Sequence, residues 1–355
     1  MDFRRSNNQG KFLFPAWLLP ILDILLIGSI LLTHAYFHHV RPTAYEIEGK
    51  PISGNNTHTD THTQPGIDPD PDPNPDPDTN GEKYEDQITW GSGPWFTKYR
   101  DKFTETVQTT ENGYTSPGIS ITVEKRTMGK GSGLVTYYVA DIYMADIEYF
   151  QSYFAKNKYG SGIRQTVLEM DTDSGALLAM TGDYYGNSSD KNHGVVIRNG
   201  ILYRANHTEA DVCILYYNGT MVTYSPNTFD GDVVAANGAW QGWAFGPRLL
   251  DDNGKAMKTF NTADNLLGRH PRSGVGYYEP GHYCFVLVDG RKPGYSRGLS
   301  MKEFSQLFQD LGCVAAYNLD GGKSAVMTYH DKVVNQPVGG GRSVSDCLII
   351  TEVKK

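Results

Sequence analysis

The sequence predicts an α+β protein in which a β-rich mixed sheet with a few packed helices follows one transmembrane helix and an extended stalk. Three observations support this prediction. Tyrosine (23 residues) and glycine (39 residues) are abundant, and charged residues make up only 20% of the 355-residue chain, which favours strands joined by many turns. One long apolar run, 12–33, lies near the start of the chain. A run of alternating proline and aspartate, 68–78, follows it.

The apolar run 12–33 has the length of a membrane-spanning helix, for which about 20 apolar residues suffice. Arg4, Arg5 and Lys11 precede the run, so the positive-inside rule places residues 1–11 in the cytoplasm as a short tail. The run exceeds the core of a cleaved signal peptide, typically about 7–15 residues. We therefore expect a signal-anchor in the cell membrane, with the rest of the chain outside the cytoplasm. A cleaved signal peptide is the alternative, and it would place the chain on the same side.

Residues 34–89 are predicted to form an extracytoplasmic stalk. The run 68–78 reads DPDPDPNPDPD, and its alternating prolines favour an extended polyproline-II spacer over helix or central strand. An EF-hand calcium loop needs glycine at its sixth position, where this run has Pro73. The folded domain is therefore expected at 90–355, which is long enough to bury a core of its own.

Within 90–355, short β-branched and aromatic runs bounded by turn residues predict strands. They lie at 119–123, 134–139, 195–197, 212–217, 283–288, 314–319, 325–329 and 348–352. One helix is predicted at 145–157. Another is predicted to begin at Ser300, where Glu303 completes a capping box, and to end at Gly312.

Charge and cysteine content limit the function classes. The net charge is -8, and without a basic stripe to neutralise phosphates we expect no nucleic-acid partner. The four cysteines are Cys213, Cys284, Cys313 and Cys347, all in apolar runs. Up to two disulfides in an oxidising compartment and buried free thiols are both compatible with this pattern. No pair has the spacing of a zinc site.

The segment 318–325 (NLDGGKSA) combines an acid, two glycines, a lysine and a serine. It is not a P-loop, because that motif needs glycine where this chain has Tyr317. Two readings remain from the residues alone. The segment could be a hairpin turn between the flanking predicted strands, or a strand-end rim at which Asp320 and Ser324 build a site.

The stretch NLDGGKSAVMTYHDKVVNQP, followed by GGGRSVSDCLII, resembles the closing motif of the phosphodiester glycosidase family. Further blocks follow the family's order: ISITVEK, YYVADIYMADI, TGDYYGN, VVIRNGILYR, FGPRLLDDNGK, HPRSGVGY and VLVDGRKPGYSRGLSMKEFSQLFQDLGC. The resemblance spans about 90–355. Three positions depart from the family pattern: Lys323 replaces a glycine, Thr181 an asparagine and Ser273 a threonine.

The resemblance implies cleavage of the bond between the anomeric carbon of a sugar and a phosphate that links it to a second group. Ordinary glycosidases use a carboxylic acid to protonate a poor leaving group. A phosphate monoester is already a good leaving group, so that acid becomes dispensable. The site must still neutralise the phosphate, stabilise the cationic sugar and activate water or supply a nucleophile.

Four residues are the candidate catalytic groups. Arg272 and Arg342 are the candidate phosphate clamps, because a guanidinium can bind two phosphate oxygens at once. Asp183 and Asp320 are the candidate base or nucleophile, and their spacing does not assign the two roles. The candidate substrate-binding residues are Tyr185, Gly321, Gly322, Ser324 and Asn335. The carboxylates would also suit a divalent cation such as calcium, although no ligand spacing requires one.

These expectations combine into an extracytoplasmic, membrane-anchored hydrolase. Its expected substrate is a sugar-1-phosphodiester in a cell-envelope or exported polysaccharide. The alternative is a non-catalytic glycan-binding or assembly factor in exopolysaccharide biosynthesis, because a fold does not guarantee an activity.

Overall fold

The computed structural model describes residues 45–46, 49–52, 89–185 and 194–352. The predicted tail 1–11, the predicted membrane span 12–33 and the Pro/Asp run 68–78 lie outside the described residues. Within the described ranges, no helix is long and apolar enough to cross a membrane.

Strands dominate the described residues. In chain order they are β1 (Tyr45–Glu46), β2 (Lys50–Pro51), β3 (Gln108–Thr109), β4 (Gly113–Thr115), β5 (Ile119–Met128), β6 (Val135–Met144), β7 (Phe150–Phe154), β8 (Gly160–Ser161), β9 (Leu178–Thr181), β10 (Val195–Arg198), β11 (Ile201–Ala205), β12 (Val212–Tyr216), β13 (Met221–Tyr224), β14 (Ala239–Trp243), β15 (Arg272–Glu279), β16 (His282–Val288), β17 (Ala315–Leu319), β18 (Met327–Tyr329), β19 (Lys332–Val333) and β20 (Asp346–Ile350). The α-helices are α1 (Val167–Ser174), α2 (Gly231–Ala236), α3 (Asp264–Leu267) and α4 (Met301–Asp310).

The strands assemble into three main sheets. A seven-stranded sheet has the order β17-β15-β16-β6-β5-β4-β3, a five-stranded sheet has the order β19-β18-β9-β20-β7, and a six-stranded sheet has the order β13-β12-β14-β10-β11-β2. Strands β1 and β8 form a separate pair. The pairings among described strands are antiparallel. The β-rich α+β class is confirmed, and the expectation of a mixed sheet is wrong.

The largest hydrophobic core lies where these sheets face one another. Phe150 and Met180 from the five-stranded sheet pack in the same cluster as Phe285 and Leu319 from the seven-stranded sheet and Trp243 from the six-stranded sheet. Each of these side chains is fully buried. Burial of this much apolar surface is the main stabilising contribution to the fold.

The helix predicted to begin at Ser300 is present as α4, and it covers the other face of the seven-stranded sheet. The Ser300 side chain accepts a hydrogen bond from the Glu303 N–H, and the Glu303 carboxylate accepts one from the Ser300 N–H, which completes the capping box. Phe304 and Phe308 are four residues apart and therefore share the buried face, where they pack with Val286. Helix α1 similarly covers the five-stranded sheet.

The helix predicted at 145–157 is wrong. Residues Ile147–Tyr149 form one 3-10 turn, Phe150–Phe154 form strand β7, and Ala155–Asn157 form a second 3-10 turn. Strand β7 pairs along its whole length with β20, from Phe150↔Ile350 to Phe154↔Asp346. This ladder is formed with residues almost two hundred positions away, and it outweighs the local pattern.

Part of the predicted stalk belongs to the folded domain. Strand β2 extends the six-stranded sheet by pairing with β11, and β1 pairs with β8. The folded region therefore includes residues well before Trp90, and the predicted boundary there is corrected.

The four cysteines are free and buried. Cys284 in β16 and Cys313 after α4 place their Sγ atoms 3.7 Å apart. Burial raises the pKa of the Cys284 thiol well above its usual range, so the Cys284 thiol is protonated in the core.

Candidate active site

The segment 318–325 connects two sheets. Strand β17 ends at Leu319 in the seven-stranded sheet, and β18 begins at Met327 in the five-stranded sheet. The hairpin interpretation is therefore wrong, because the two flanking strands do not pair. The crossing is held at both ends by the Thr181–Gly182 corner of β9: the Asp320 N–H donates to Gly182 O at 3.1 Å, and the Thr181 hydroxyl donates to Ser324 O.

Asp320, Ser324 and Arg342 form a small polar group, in which Asp320 is only 6% exposed. Arg342 Nη2 lies 3.2 Å from Asp320 Oδ2, and Arg342 Nε donates to Ser324 Oγ at 2.6 Å. Burial raises the pKa of Asp320, and the Ser324 hydrogen bond and the Arg342 charge oppose that effect without cancelling it. By contrast, 46% of the Arg342 side chain is exposed. A half-exposed guanidinium beside a buried carboxylate can bind an anion and present it to that carboxylate.

The two glycines after Asp320 allow the turn to lie against Pro271. A Cβ on Gly321 would stand 2.7 Å from Pro271 O. Gly322 has a φ of +63°, which only glycine adopts without strain, and its N–H donates to Pro271 O at 2.9 Å. The Gly322 N–H is thus already used, which argues against the predicted contact of that group with substrate. Both glycines let the backbone approach Pro271 closely.

Asp183 belongs to a buried ion cluster that the sequence did not reveal as one. Arg198 Nη2 lies 3.4 Å from Asp183 Oδ2, and Arg198 Nε donates to Asp346 Oδ2 at 2.7 Å. The side chains of Arg198, Asp183 and Asp346 are 1%, 3% and 0% exposed. Burial, with Asp183 nearby, raises the pKa of Asp346 to about 6 against the opposing charge of Arg198.

The Asp183 carboxylate is fully engaged within this cluster. Its Oδ1 accepts from the Tyr184 N–H at 2.7 Å, and its Oδ2 accepts from the Ala244 N–H at 3.2 Å in addition to Arg198. Because both oxygens of Asp183 already accept hydrogen bonds, this carboxylate is less available for a contact with water or substrate than one with a free oxygen. Asp183 and Asp320 do lie close together, since the negative charge of Asp183 contributes to the raised pKa of Asp320.

A sequence signal for the missed members of the cluster did exist. Arg198 ends the apolar run VVIR and Asp346 begins the apolar run DCLII. Opposite charges at the ends of two predicted buried strands are unusual unless they are paired. Without the topology, however, nothing in the sequence brings these two strand ends together.

Arg272 does not occupy the position of a phosphate clamp. Its Nε donates to Leu299 O at 3.1 Å, and its Nη2 donates to Leu266 O and Gly268 O, both at 2.6 Å. The residue is 3% exposed, and burial together with the charge of Arg291 lowers its pKa to about 10. The guanidinium therefore satisfies carbonyl groups at the end of α3, which corrects the predicted phosphate contact.

Asn335 also has a structural environment. Its Oδ1 accepts from the Met327 N–H at 3.0 Å, and its Nδ2 donates to Ala325 O at 3.1 Å and to Asp289 Oδ1 at 2.8 Å. These bonds hold the end of the 318–325 crossing, so Asn335 supports the turn and has no free amide group for the predicted substrate contact.

Tyr185 is buried beside the ion cluster, so its ring is not exposed for the predicted contact with substrate. It is 5% exposed, and its hydroxyl donates to Ser345 O at 3.2 Å. Its neighbour Tyr184 is half-buried and lies between two guanidinium groups. Arg164 Cζ is 5.4 Å and Arg342 Cζ is 5.9 Å from the Tyr184 ring centroid.

A second cation, Arg291, reaches the glycine turn. Its Nη2 would lie 3.5 Å from a Cβ on Gly322. The same Nη2 donates to His270 Nδ1 at 2.9 Å, and His270 Nε2 lies 2.8 Å from Asn265 O. His270 thus faces Arg291 with Nδ1 and the Asn265 carbonyl with Nε2. Arg291 carries no sequence signal of its own, because the motif DGR is typical of an ordinary turn.

The possible calcium site finds no ligand set in the part of the chain that the structure describes. No group of three or more His, Cys, Asp or Glu side chains there is arranged to hold a metal ion.

Comparison with known proteins places this geometry in a family. Residues 174–351, half of the chain, match the family model described as phosphodiester glycosidase. The chain is 31% identical over 198 residues to the SPbeta prophage-derived uncharacterized protein YomE of Bacillus subtilis (strain 168), a match that covers 54% of this chain and 30% of that protein. The chain therefore spans under a third of the length of this relative.

Solved structures also match this chain. The catalytic domain of zebrafish N-acetylglucosamine-1-phosphodiester alpha-N-acetylglucosaminidase, auto-inhibited by its pro-peptide, matches with a TM-score of 0.54 and 18% identity over 77% of this chain and 95% of that one. At this identity, the match bears on the fold alone. A hypothetical protein from Synechocystis matches with a TM-score of 0.47 and 14% identity over 69% and 64% of the two chains. The family match is what shows that this chain belongs to the phosphodiester glycosidase family.

Proposed function

We propose that this protein hydrolyses a sugar-1-phosphodiester at the Asp320 turn, outside the cytoplasm, in a cell-envelope or exported polysaccharide. One observation carries the proposal. Asp320, which is 6% exposed, pairs with Arg342, whose side chain is 46% exposed, and Ser324 orients the Arg342 guanidinium. Membership of the phosphodiester glycosidase family supports the reaction class.

Arg342 would bind the phosphate of the diester. Its exposed guanidinium can give two parallel hydrogen bonds to phosphate oxygens. As the bond from the anomeric carbon to oxygen breaks, the phosphate gains negative charge, and a cation fixed at that position stabilises the transition state more than the ground state. No general acid is then required for the leaving group.

Asp320 would act on the sugar side of the scissile bond. A phosphate bound to Arg342 competes with Asp320 for the guanidinium, which leaves a carboxylate oxygen free. In one route that oxygen accepts a proton from water, whose oxygen adds to the anomeric carbon as the bond to the phosphate breaks. In the other it bonds to the anomeric carbon as the phosphate leaves, and water then hydrolyses the glycosyl ester, which releases the sugar and restores Asp320. The first route inverts the anomeric configuration and the second retains it. Asp183 would keep a positioning role, since the neighbouring Gly182 carbonyl holds the Asp320 N–H.

The test measures release of free sugar by the full chain from the methyl diester of N-acetylglucosamine-1-phosphate and from a panel of other sugar phosphodiesters. We expect Asp320→Asn and Arg342→Ala each to lower kcat/KM about 100-fold or more. Arg126→Ala is the matched control, because Arg126 forms an exposed pair with Glu124 at 2.6 Å far along β5, and it should change kcat/KM less than about twofold.

Three outcomes would contradict the proposal. Full activity in both site variants would place the chemistry elsewhere. Tight glycan binding with no sugar release from any diester would favour the glycan-binding or assembly factor. New diester products in place of free sugar would indicate a transferase.

A further inference from the structure

We infer that the pocket beside Arg291 binds a second phosphate, carried by the group on the far side of the phosphodiester from the sugar. This inference rests on the proposed function and adds a substrate class to it. The pocket has a volume of about 380 Å³, and its lining includes Ser132, Leu134, Arg291, Lys292 and Arg297. Its size falls in the usual range for ligand sites, about 300–1,000 Å³.

The pocket carries positive charge that the described residues do not compensate. Arg297 is neutralised by Glu303, whose carboxylate oxygens lie 2.7 and 3.2 Å from its guanidinium. Arg291 and Lys292 form no ion pair with any described carboxylate. The polar neighbours of these two side chains are His270 for Arg291 and, at 3.4 Å, Gln336 for Lys292. Among the described residues, no acidic side chain lines the pocket. Two adjacent uncompensated cations favour a multiply charged anion.

Arg291 links the pocket to the proposed catalytic turn. Arg291 Nη2 lies at van der Waals distance, 3.5 Å, from the position of a Cβ on Gly322, and Gly322 is two residues from Asp320. Gly321 and Gly322 have no side chains that could lie between Asp320 and Arg291. His270 fixes the direction of Arg291 through the bond at 2.9 Å. A ligand whose first phosphate lies on Arg342 can therefore continue over the glycines toward Arg291 without meeting a side chain of the turn.

The chemical class of the ligand follows from this geometry. A diester with a neutral leaving alcohol would use only the Arg342 contact. A diester whose alcohol carries a further phosphate would also use Arg291 and Lys292, because guanidinium and ammonium groups both bind phosphate oxygens. The inferred substrate is therefore a sugar phosphate joined to a phosphorylated alcohol.

The experiment compares two diesters that differ by one group. N-acetylglucosamine-1-phosphate is esterified either to glycerol or to glycerol 3-phosphate, and kcat/KM is measured for each with the full chain. We expect the wild type to prefer the phosphorylated diester at least tenfold, through a lower KM, and Lys292→Glu to lower that preference ratio at least tenfold. Lys332→Glu, the same charge change at an exposed residue of β19 outside the pocket, should leave the ratio within twofold. Equal use of the two diesters by the wild type, or an equal loss of preference in Lys292→Glu and Lys332→Glu, would overturn the inference.

A binding measurement separates failure of this inference from failure of the proposed function. If the wild type cleaves neither diester, the proposed function fails. Calorimetric titration of the full chain with inorganic pyrophosphate then tests whether the pocket binds phosphate. Pyrophosphate binding that is weakened at least tenfold by Lys292→Glu and less than twofold by Lys332→Glu supports the pocket. Binding that is absent, or insensitive to both changes, refutes it.

Discussion

Replacing Arg198 with methionine should destabilise the protein strongly. Arg198 is the cation between Asp183 and Asp346, at 3.4 and 2.7 Å, and the carboxylates are 3% and 0% exposed. Methionine fills much of the same volume but leaves two buried carboxylates without a cation, and water cannot reach them. Removing one partner of a buried ion pair costs about 3–5 kcal/mol. We expect Arg198→Met to lower the free energy of unfolding by this amount, measured by urea denaturation at pH 7.5.

The pH dependence of that loss tests the cause. In the variant, loss of the Arg198 charge that opposes the effect of burial raises the pKa of Asp346 further, so this carboxyl holds its proton to higher pH in the folded state than in the unfolded state. Its contribution to stability is then largest at low pH and is lost as pH rises, and the deficit relative to wild type should be smaller at pH 4.5 than at pH 7.5. Arg126→Met is the control, because its pair with Glu124 is about half exposed, and it should cost under about 1 kcal/mol. If Arg198→Met costs no more than this control, or if its deficit shows no pH dependence, the assignment of Arg198 as the essential counterion is wrong.

Two further predictions concern the fold around the site. Asp171 in α1 is buried, and burial raises its pKa from 3.8 to about 6. The stability that this protonated carboxyl contributes is therefore present below about pH 4 and is lost as pH rises through about 6. Asparagine does not ionise, so the free energy of unfolding of the Asp171→Asn variant, relative to wild type, should increase by up to about 3 kcal/mol between pH 4 and pH 7.5, measured by urea denaturation. No gain would contradict the burial argument. Gly321→Ala would bring a Cβ within 2.7 Å of Pro271 O and should cost about 1–3 kcal/mol and lower kcat/KM by displacing the Asp320 turn. Gly133→Ala, where a Cβ meets nothing within 4 Å, should do neither, and equal effects of the two changes would refute the packing argument.

The sequence predicted those elements whose stability is local. Helix α4 carries its own capping box and an apolar face of residues three and four apart, so 300–312 contains what is needed to place it. Each of the eight predicted runs lies on a strand, because apolar runs that end at turn residues are a local signal, whereas strands without such a run, such as β15, were missed. Helix α1 was missed although Thr166 and Glu169 form the same capping box. Its eight residues are too few for a clear helical period.

The errors arose where distant residues decide the conformation. Residues 150–154 have a helix-compatible pattern, but they join β20 to complete the five-stranded sheet. The segment 50–51 looks like part of a polar linker, but it pairs with β11. Sheet ladders obtain their hydrogen bonds from whichever strand lies beside them, and that information is not contained in a window of ten residues.

The same distinction explains which site residues could be predicted. Asp183 and Asp320 were recognised as carboxylates at strand ends, and strand ends from neighbouring sheets do meet, because the Asp320 N–H bonds to Gly182 O. The direction of a long side chain is a different matter. Arg272 begins β15 and Arg291 follows β16. The Arg272 side chain nevertheless points inward to three carbonyl groups, whereas the Arg291 side chain points toward the glycine turn. An arginine becomes a ligand contact only when the fold leaves its donors unsatisfied, and this depends on carbonyl groups that the sequence does not locate. The conformation of 318–325 therefore determines more of the site than any single charged residue, since it places Asp320 beside Arg342 and brings Gly322 against Arg291.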